Sequence, residues 1–169
     1  TAVRRPPSDG ESTRNQSAVE LGERAELAAG SNTILAGEAD VGTVFDTPEK
    51  AVWMMEQTGH AHLKLNFDHS HFHVRGIALQ HAADRCLPHT VHIHIKDGYM
   101  EADKVTFLLP GDGSLDLADY YKVLSRAGVD LPVFAEVTAM IWNRPDYEPW
   151  SAAESCYQAL NRARQDAIP

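Results

Sequence analysis

Apolar and polar positions along the chain switch repeatedly between a helical and an extended period. A stripe of Ala18, Leu21, Ala25 and Ala28 runs to Gly30, opened by the capping-box spacing of Ser17 and Glu20, and predicts a first helix. The short apolar run Thr33–Glu38 predicts a strand. Thr47 and Pro48 then supply an N-cap and a first helical residue for the stripe Ala51, Val52, Met54 and Met55, which Gly59 closes. The same alternation predicts a strand at Leu63–Asp68, a helix over roughly Val74–Cys86, a strand at Val91–Ile95 and a helix opened by Asp116. It ends with a strand at Pro132–Glu136 and a last helix capped by Ser151, with Glu154 one turn on. Residues 1–16 are rich in Pro, Ser and charge and carry no apolar period, so they are expected to be a flexible arm or loop.

No hairpin signal joins the predicted strands, so helical crossovers must connect them, which makes the sheet parallel and the class α/β. With 169 residues, 43% of them hydrophobic, the chain can bury one sizeable core, and residues 17–169 are expected to form a single domain. Fifteen Lys and Arg against 24 Asp and Glu give a formal charge of −9, which repels phosphate backbones and argues against nucleic acid as a partner. The two cysteines, Cys86 and Cys156, form no metal-knuckle spacing and suggest no disulfide framework, so a reducing compartment is expected. No apolar run approaches the roughly 18 residues of a membrane span, and a cytoplasmic location is expected.

Histidine is the compositional outlier, with nine in the chain, of which His60, His62, His69, His71, His73 and His81 fall in one short stretch. The predicted strands end in Glu38, Asp68, His94 and Glu136, each able to bind a metal. In sheets of βα units chemistry gathers at the carboxyl ends of the strands. The alternative is that the glutamates cap neighbouring helices and His94 is a satisfied core histidine, but four such groups facing one another are costly to bury without a cation. Three carboxylates and an imidazole suit a hard or borderline divalent ion, with Mn²⁺ in first place and Mg²⁺, Co²⁺ or Zn²⁺ as alternatives. Such an ion polarises a sugar carbonyl, and Glu38 and Glu136, on the outer strands of the set, can act as the acid/base pair. His71, on the loop above Asp68, is placed to hydrogen-bond a substrate hydroxyl.

The segments LKLNFDHSH, VHIHIKDG, LLPGDGSLD and LPVFAEV, in this order, resemble the second half of the xylose-isomerase-like TIM barrels, a superfamily of sugar isomerases and epimerases, inosose dehydratase and endonuclease IV. The resemblance implies a (β/α)8 barrel of which the chain holds about strands 4 to 8. It further implies that Glu38, Asp68, His94 and Glu136 bind the metal, and that His71 and Lys96 lie against the substrate. Asp97 completes the same H-x-K-D turn, and a loop salt bridge is the competing role for it and Lys96. Gly111 and Gly113 are expected to serve a tight turn. Met100 stands where ketose 3-epimerases carry an arginine, and Val105–Leu109 lacks the additional zinc ligands of endonuclease IV.

The activity expected is therefore metal-dependent isomerisation or epimerisation of a small sugar or polyol ketone through an enediolate. An inosose-type dehydratase and a non-catalytic barrel fragment acting as a binding subunit are the alternatives. A half barrel exposes two sheet edges, so the expectation is either a truncated or processed chain or a half barrel that a second copy or a partner chain completes. Trp53, Met54 and Met55 are expected to pack on the sheet. Trp142 and Trp150 would either roof a sugar site or anchor a loop, and the histidines outside the site are assigned to surface or loop roles.

Overall fold

The computed structural model describes residues 10–167. Four strands, β1 (Leu35–Glu38), β2 (Leu63–Asp68), β3 (Thr90–Ile95) and β6 (Val133–Ala135), form one sheet in the order β1-β2-β3-β6. Every neighbouring pair is parallel. The connections are helical, as the alternating periods require: α2 (Pro48–Thr58) joins β1 to β2 and α4 (Leu79–Cys86) joins β2 to β3, while α5 (Leu117–Arg126) precedes β6. Helices α1 (Gly10–Gly30) and α7 (Pro149–Ala167) flank the arc, and α3 (Ser70–His73) and α6 (Ala139–Trp142) are single turns. None of the helices among the described residues is long and apolar enough to cross a membrane.

The two faces of the sheet differ in kind. Leu63, Leu65, Phe67, Ile93 and Ile95 are buried on the outer face in one cluster with Ala51, Val52, Met54, Ala82, Ala83, Tyr120, Val123 and Leu124 from the helices. Because successive strand residues point to opposite faces, the intervening positions Asn66, Asp68, His92 and His94 share the inner face. Met54 and Met55 pack as expected, and Trp53 is partly buried against the same cluster with Arg14 over its ring at 5.1 Å.

Several boundaries depart from expectation for identifiable reasons. Helix α1 begins at Gly10, so residues 10–16, expected in the arm, are helical, and Ser17 is a buried interior residue rather than a cap. The stack of Arg14 on Trp53 anchors this added stretch, a tertiary contact that local propensity does not contain. The remainder of the expected arm, residues 1–9, lies outside the described residues. The helix expected over Val74–Cys86 is split: Gly76, at φ 73°, ends the turn of α3, and α4 starts only at Leu79. Helix α7 starts at Pro149, and the Glu148 carboxylate accepts from the Ser151 N–H at 2.8 Å, so Glu148 does the capping expected of Ser151. The caps of α2 and α5 stand as read, with Thr47 accepting from Lys50 N and Asp116 from Asp119 N.

A hairpin, β4 (Asp97–Glu101) and β5 (Lys104–Leu108), was not expected at all. Its two-residue turn places Ala102 at φ 46° and Asp103 at φ 62°. Such turns normally advertise themselves through Asn-Gly or Asp-Gly, and Ala-Asp does not. At its base Asp97, fully buried, accepts from the backbone N–H groups of Gly98 (2.8 Å), Leu115 (3.0 Å) and Gly111 (3.2 Å). Asp97 is thus not the salt-bridge partner considered from sequence; it organises the loop that carries Gly111 and Gly113.

Two predictions follow from this packing. A Cβ at Gly113 would lie 2.6 Å from Asp97 Cγ and 2.8 Å from Gly98 N, so Gly113→Ala forces backbone apart and should cost about 1–3 kcal/mol in urea unfolding. Burial pushes the Cys86 thiol up to about 12, and Cys156 is also buried and raised. Both thiols should therefore resist a disulfide reagent near pH 8 in the native protein and react rapidly once it is denatured.

Candidate metal centre

Glu38 and Asp68 are the last residues of β1 and β2, and His94 is next to last in β3. Glu136 follows β6 directly and extends its ladder through a bond from its N–H to Ile95 O at 2.9 Å. The four groups offer ligand atoms that all lie within 4.8 Å of one another. One irregularity makes this possible. Leu65 pairs with Thr90 but Asn66 pairs with His92, so the register slips by one residue and Asp68 comes level with His94. Without the slip Asp68 would face Ile93, whose side chain points into the helical layer, because a shift of one residue exchanges the faces of a strand.

Lys96 lies among these ligands, itself almost fully buried, with its ammonium bonded to Asp68 Oδ2 and Glu136 Oε2 and 4.0 Å from Glu38 Oε1. It is therefore part of the charge cluster, not of a loop salt bridge. His71 completes the cluster. Its Nε2 is 3.1 Å from Glu38 Oε1 and 2.9 Å from Lys96 Nζ, and its Nδ1 is 3.1 Å from Asp40 Oδ1. The ring of Phe107, on the hairpin, packs against His71 at 5.1 Å and under Lys96 at 4.9 Å, shielding this side from water. Ser70 ties the strand ends together: its N–H donates to Asp68 Oδ1 at 2.9 Å, and its hydroxyl joins the Lys96 carbonyl at 2.6 Å and accepts from the Lys96 N–H at 2.9 Å.

The electrostatics follow from these contacts. Burial alone would raise the Glu38 carboxyl, but hydrogen bonds from His71 and His94 and the charge of Lys96 hold it well below the usual carboxylate range. Burial would lower His71, yet its bonds to Asp40 and Glu38 raise it to about 9. His94 is raised first by its bond to Glu38, against a smaller opposing effect of burial. Lys96 is held above its ordinary value because Asp68, Glu136 and Glu38 outweigh its burial. His69, next to Asp68 but turned among Phe67 and Phe72, goes the other way, to about 4, through burial and the neighbouring His73.

The donor set fits a divalent cation. At metal–oxygen distances of about 2.1–2.4 Å, ligand atoms on opposite sides of an ion stand roughly 4.2–4.8 Å apart, the span found here. The three carboxylates of the set against the Lys96 ammonium leave two negative charges, which a divalent ion neutralises, while the Asp40–His71 pair adds no net charge.

All four residues expected as ligands thus converge, and His71 and Lys96 lie beside them. Sequence reasoning missed Asn66, Asp40 and Phe107. Asn66 was legible in principle, two residues before Asp68 on one strand and so on the same face. Asp40 and Phe107 reach the site only through a loop and through the unforeseen hairpin. Trp142 and Trp150 are 54% and 81% exposed, and His73 bonds Ser114 Oγ at 2.9 Å.

An open parallel arc with helices outside and ligands at its carboxyl ends is a portion of a TIM barrel, and residues 2–156 match the profile of the xylose isomerase-like TIM barrel family. The chain belongs to that family. It is 26% identical over 125 residues to the inosose dehydratase of Geobacillus thermodenitrificans (strain NG80-2), a stretch covering 65% of this chain and 42% of that protein. It superposes on D-psicose 3-epimerase, solved in the presence of D-fructose, with TM-score 0.75 and 16% identity, covering 97% of this chain and 60% of the other. It also superposes on the IOLI protein, solved with a bound zinc atom, with TM-score 0.74 and 21% identity, covering 99% and 60%. The chain therefore spans less than half the length of the curated relative and about six tenths of these solved chains.

Replacing Lys96 by methionine would leave the buried Asp68 and the half-buried Glu136 without their counter-charge. Lys96→Met should lower the stability of the metal-free protein by about 3–5 kcal/mol in chemical denaturation, with part recovered at saturating Mn²⁺.

Proposed function

We propose that this chain carries the metal-binding half of a divalent-metal-dependent isomerase or epimerase acting on a small sugar or polyol ketone. The observation that carries the reading is the quartet Glu38, Asp68, His94 and Glu136, with its ligand atoms within 4.8 Å of one another at the ends of four adjacent strands. Those four residues would hold the ion, Mn²⁺ foremost, with Mg²⁺, Co²⁺ or Zn²⁺ as alternatives; that the IOLI protein, which shares the fold, was solved with a bound zinc atom supports a metal. When bound, the ion polarises the substrate carbonyl and offsets the charge of the enediolate that forms when the adjacent C–H is deprotonated.

The remaining work falls to this chain's side chains. Glu38 and Glu136 come from the two outer strands of the arc, so one carboxylate removes a proton while the other returns one from a different direction. Hydrogen bonds and the charge of Lys96 keep Glu38 ionised. His71, held between Asp40 and Glu38, would turn its Nε2–H from Glu38 to a substrate hydroxyl, and Lys96 contributes a donor on the Glu136 side.

A second reading, elimination of water from an inosose-like ketone, is favoured by one feature. The Lys96 ammonium beside Glu136 would hydrogen-bond a departing hydroxyl and offset its charge, and the inosose dehydratase similarity points the same way. Among the described residues β1 and β6 lie at the ends of the four-stranded arc, so further strands, whether of this protein, a second copy or a partner chain, would close the barrel. Two buried, unpaired cysteines and the acidic charge support a reducing, cytoplasmic setting without nucleic acid.

The test is turnover of ketoses and inososes in D₂O with Mn²⁺, followed by NMR and mass spectrometry. Deuterium entering an isomer of unchanged composition supports the first reading, and a product lighter by one water supports the second. Glu136→Gln should lower kcat by about 10²-fold or more if Glu136 transfers the proton. Loss of neither activity nor metal in Glu136→Gln would remove the proposal.

A further inference from the structure

Asn66 has no role in the mechanism above, yet it touches more of the centre than any other neutral side chain. Its Cα pairs in register with Glu38 on β1 and with His92 on β3, and it sits one inward-facing position below Asp68. The side chain is 7% exposed. Its Nδ2 donates to Glu38 Oε2 and lies 2.9 Å from His94 Nδ1, which is itself 3.1 Å from that same carboxylate oxygen. One amide group therefore spans from the first strand to the third beneath the aspartate on the second. Its Oδ1 is buried and has no hydrogen-bond partner, although an unpaired buried acceptor costs about 1–3 kcal/mol. An apolar residue would avoid that cost, and stability alone does not account for an amide here.

We propose that Asn66 is the positioning residue of the centre: its Nδ2 donates to Glu38 Oε2 across the β1–β2 pairing and holds that carboxylate beside His94 and Asp68, at the separation a divalent cation needs. Partners in the layer behind metal ligands fix their orientation, and losing one typically costs 10–100-fold in metal affinity. An amide does this without adding charge. An aspartate in its place would raise the local carboxylate count from three to four and repel Glu38. The inference rests on the metal-centre reading above and deepens it.

The test is calorimetric titration of the purified chain with Mn²⁺ and with Mg²⁺ alone, comparing wild type, Asn66→Ala and the similarly sized Asn66→Leu. The expected result is a dissociation constant weakened by about 10–100-fold in both variants, with a smaller metal-induced rise in Tm than in wild type. A metal-free Tm that falls while affinity stays within about 2-fold of wild type would make Asn66 merely structural and overturn the proposal. In a Glu38→Ala background Asn66→Ala should add little further loss, because its effect runs through Glu38; full additivity would also count against it.

Should either variant fail to fold, the wild-type protein still decides the matter. The Asn66 side-chain amide resonances should shift and gain protection from solvent exchange on titration with Mg²⁺, and unchanged resonances at saturation would overturn the assignment. If wild type itself binds neither ion, the metal-centre reading fails first and this inference with it. If wild type binds and the variants bind equally well, only the role of Asn66 falls.

Discussion

Three carboxylates gathered where four parallel strands end are the constraint around which the rest of this molecule is arranged. Removing such charges from water is expensive, and mutual repulsion adds to the cost unless positive charge enters with them. Lys96 supplies one positive charge from the same strand region, nearly fully buried between Asp68 and Glu136. The remaining deficit matches a divalent ion. The polar residues around the cluster serve this balance: Ser70 joins the backbone at Lys96 to the carboxylate of Asp68, His71 links Glu38 to Asp40, and Asn66 donates to Glu38 beside His94.

The fold makes this concentration of charge tolerable by separating it from the hydrophobic layer. Leucine, isoleucine and phenylalanine on the outer face of each strand pack against the helices, while the inner face carries the ligands. A strand has only two faces, so apolar burial on one side leaves the other free for chemistry without loss of core. The hairpin β4–β5 then covers part of the site with Phe107, which lowers local water access beside His71 and Lys96 and strengthens their interactions with the carboxylates. Asp97 ties the base of that hairpin to the Gly111–Leu115 loop, so a residue without catalytic contact still helps fix the wall of the site.

Family membership adds a boundary to this picture. The relatives of known structure share the fold at identities of 16–21%, and the chain accounts for about 60% of their length. The metal quartet lies wholly within it. The inner sheet face, by contrast, is partly open, with Phe134 46% exposed. A barrel's specificity comes from loops all around its mouth, so under the proposed reading the metal site would lie within this chain and substrate choice would also depend on parts of the fold beyond the share that it spans.

Periodicity and capping chemistry determined the order of strands and helices, the parallel class and the four strand-end ligands, because these depend on residues close together in the chain. Thr47, Pro48, Gly59 and Asp116 mark helix ends by chemistry that acts over one turn, and the structure keeps each of them. What tertiary structure alone decided was non-local. The slip between Leu65 and Asn66 that sets Asp68 beside His94, the insertion of Lys96 among the carboxylates and the bridge made by Asn66 each require two or more strands to meet. The turn at Ala102 and Asp103 escaped notice for a related reason. Its left-handed backbone is imposed on residues that do not prefer it, and only the pairing of the strands on either side repays that strain.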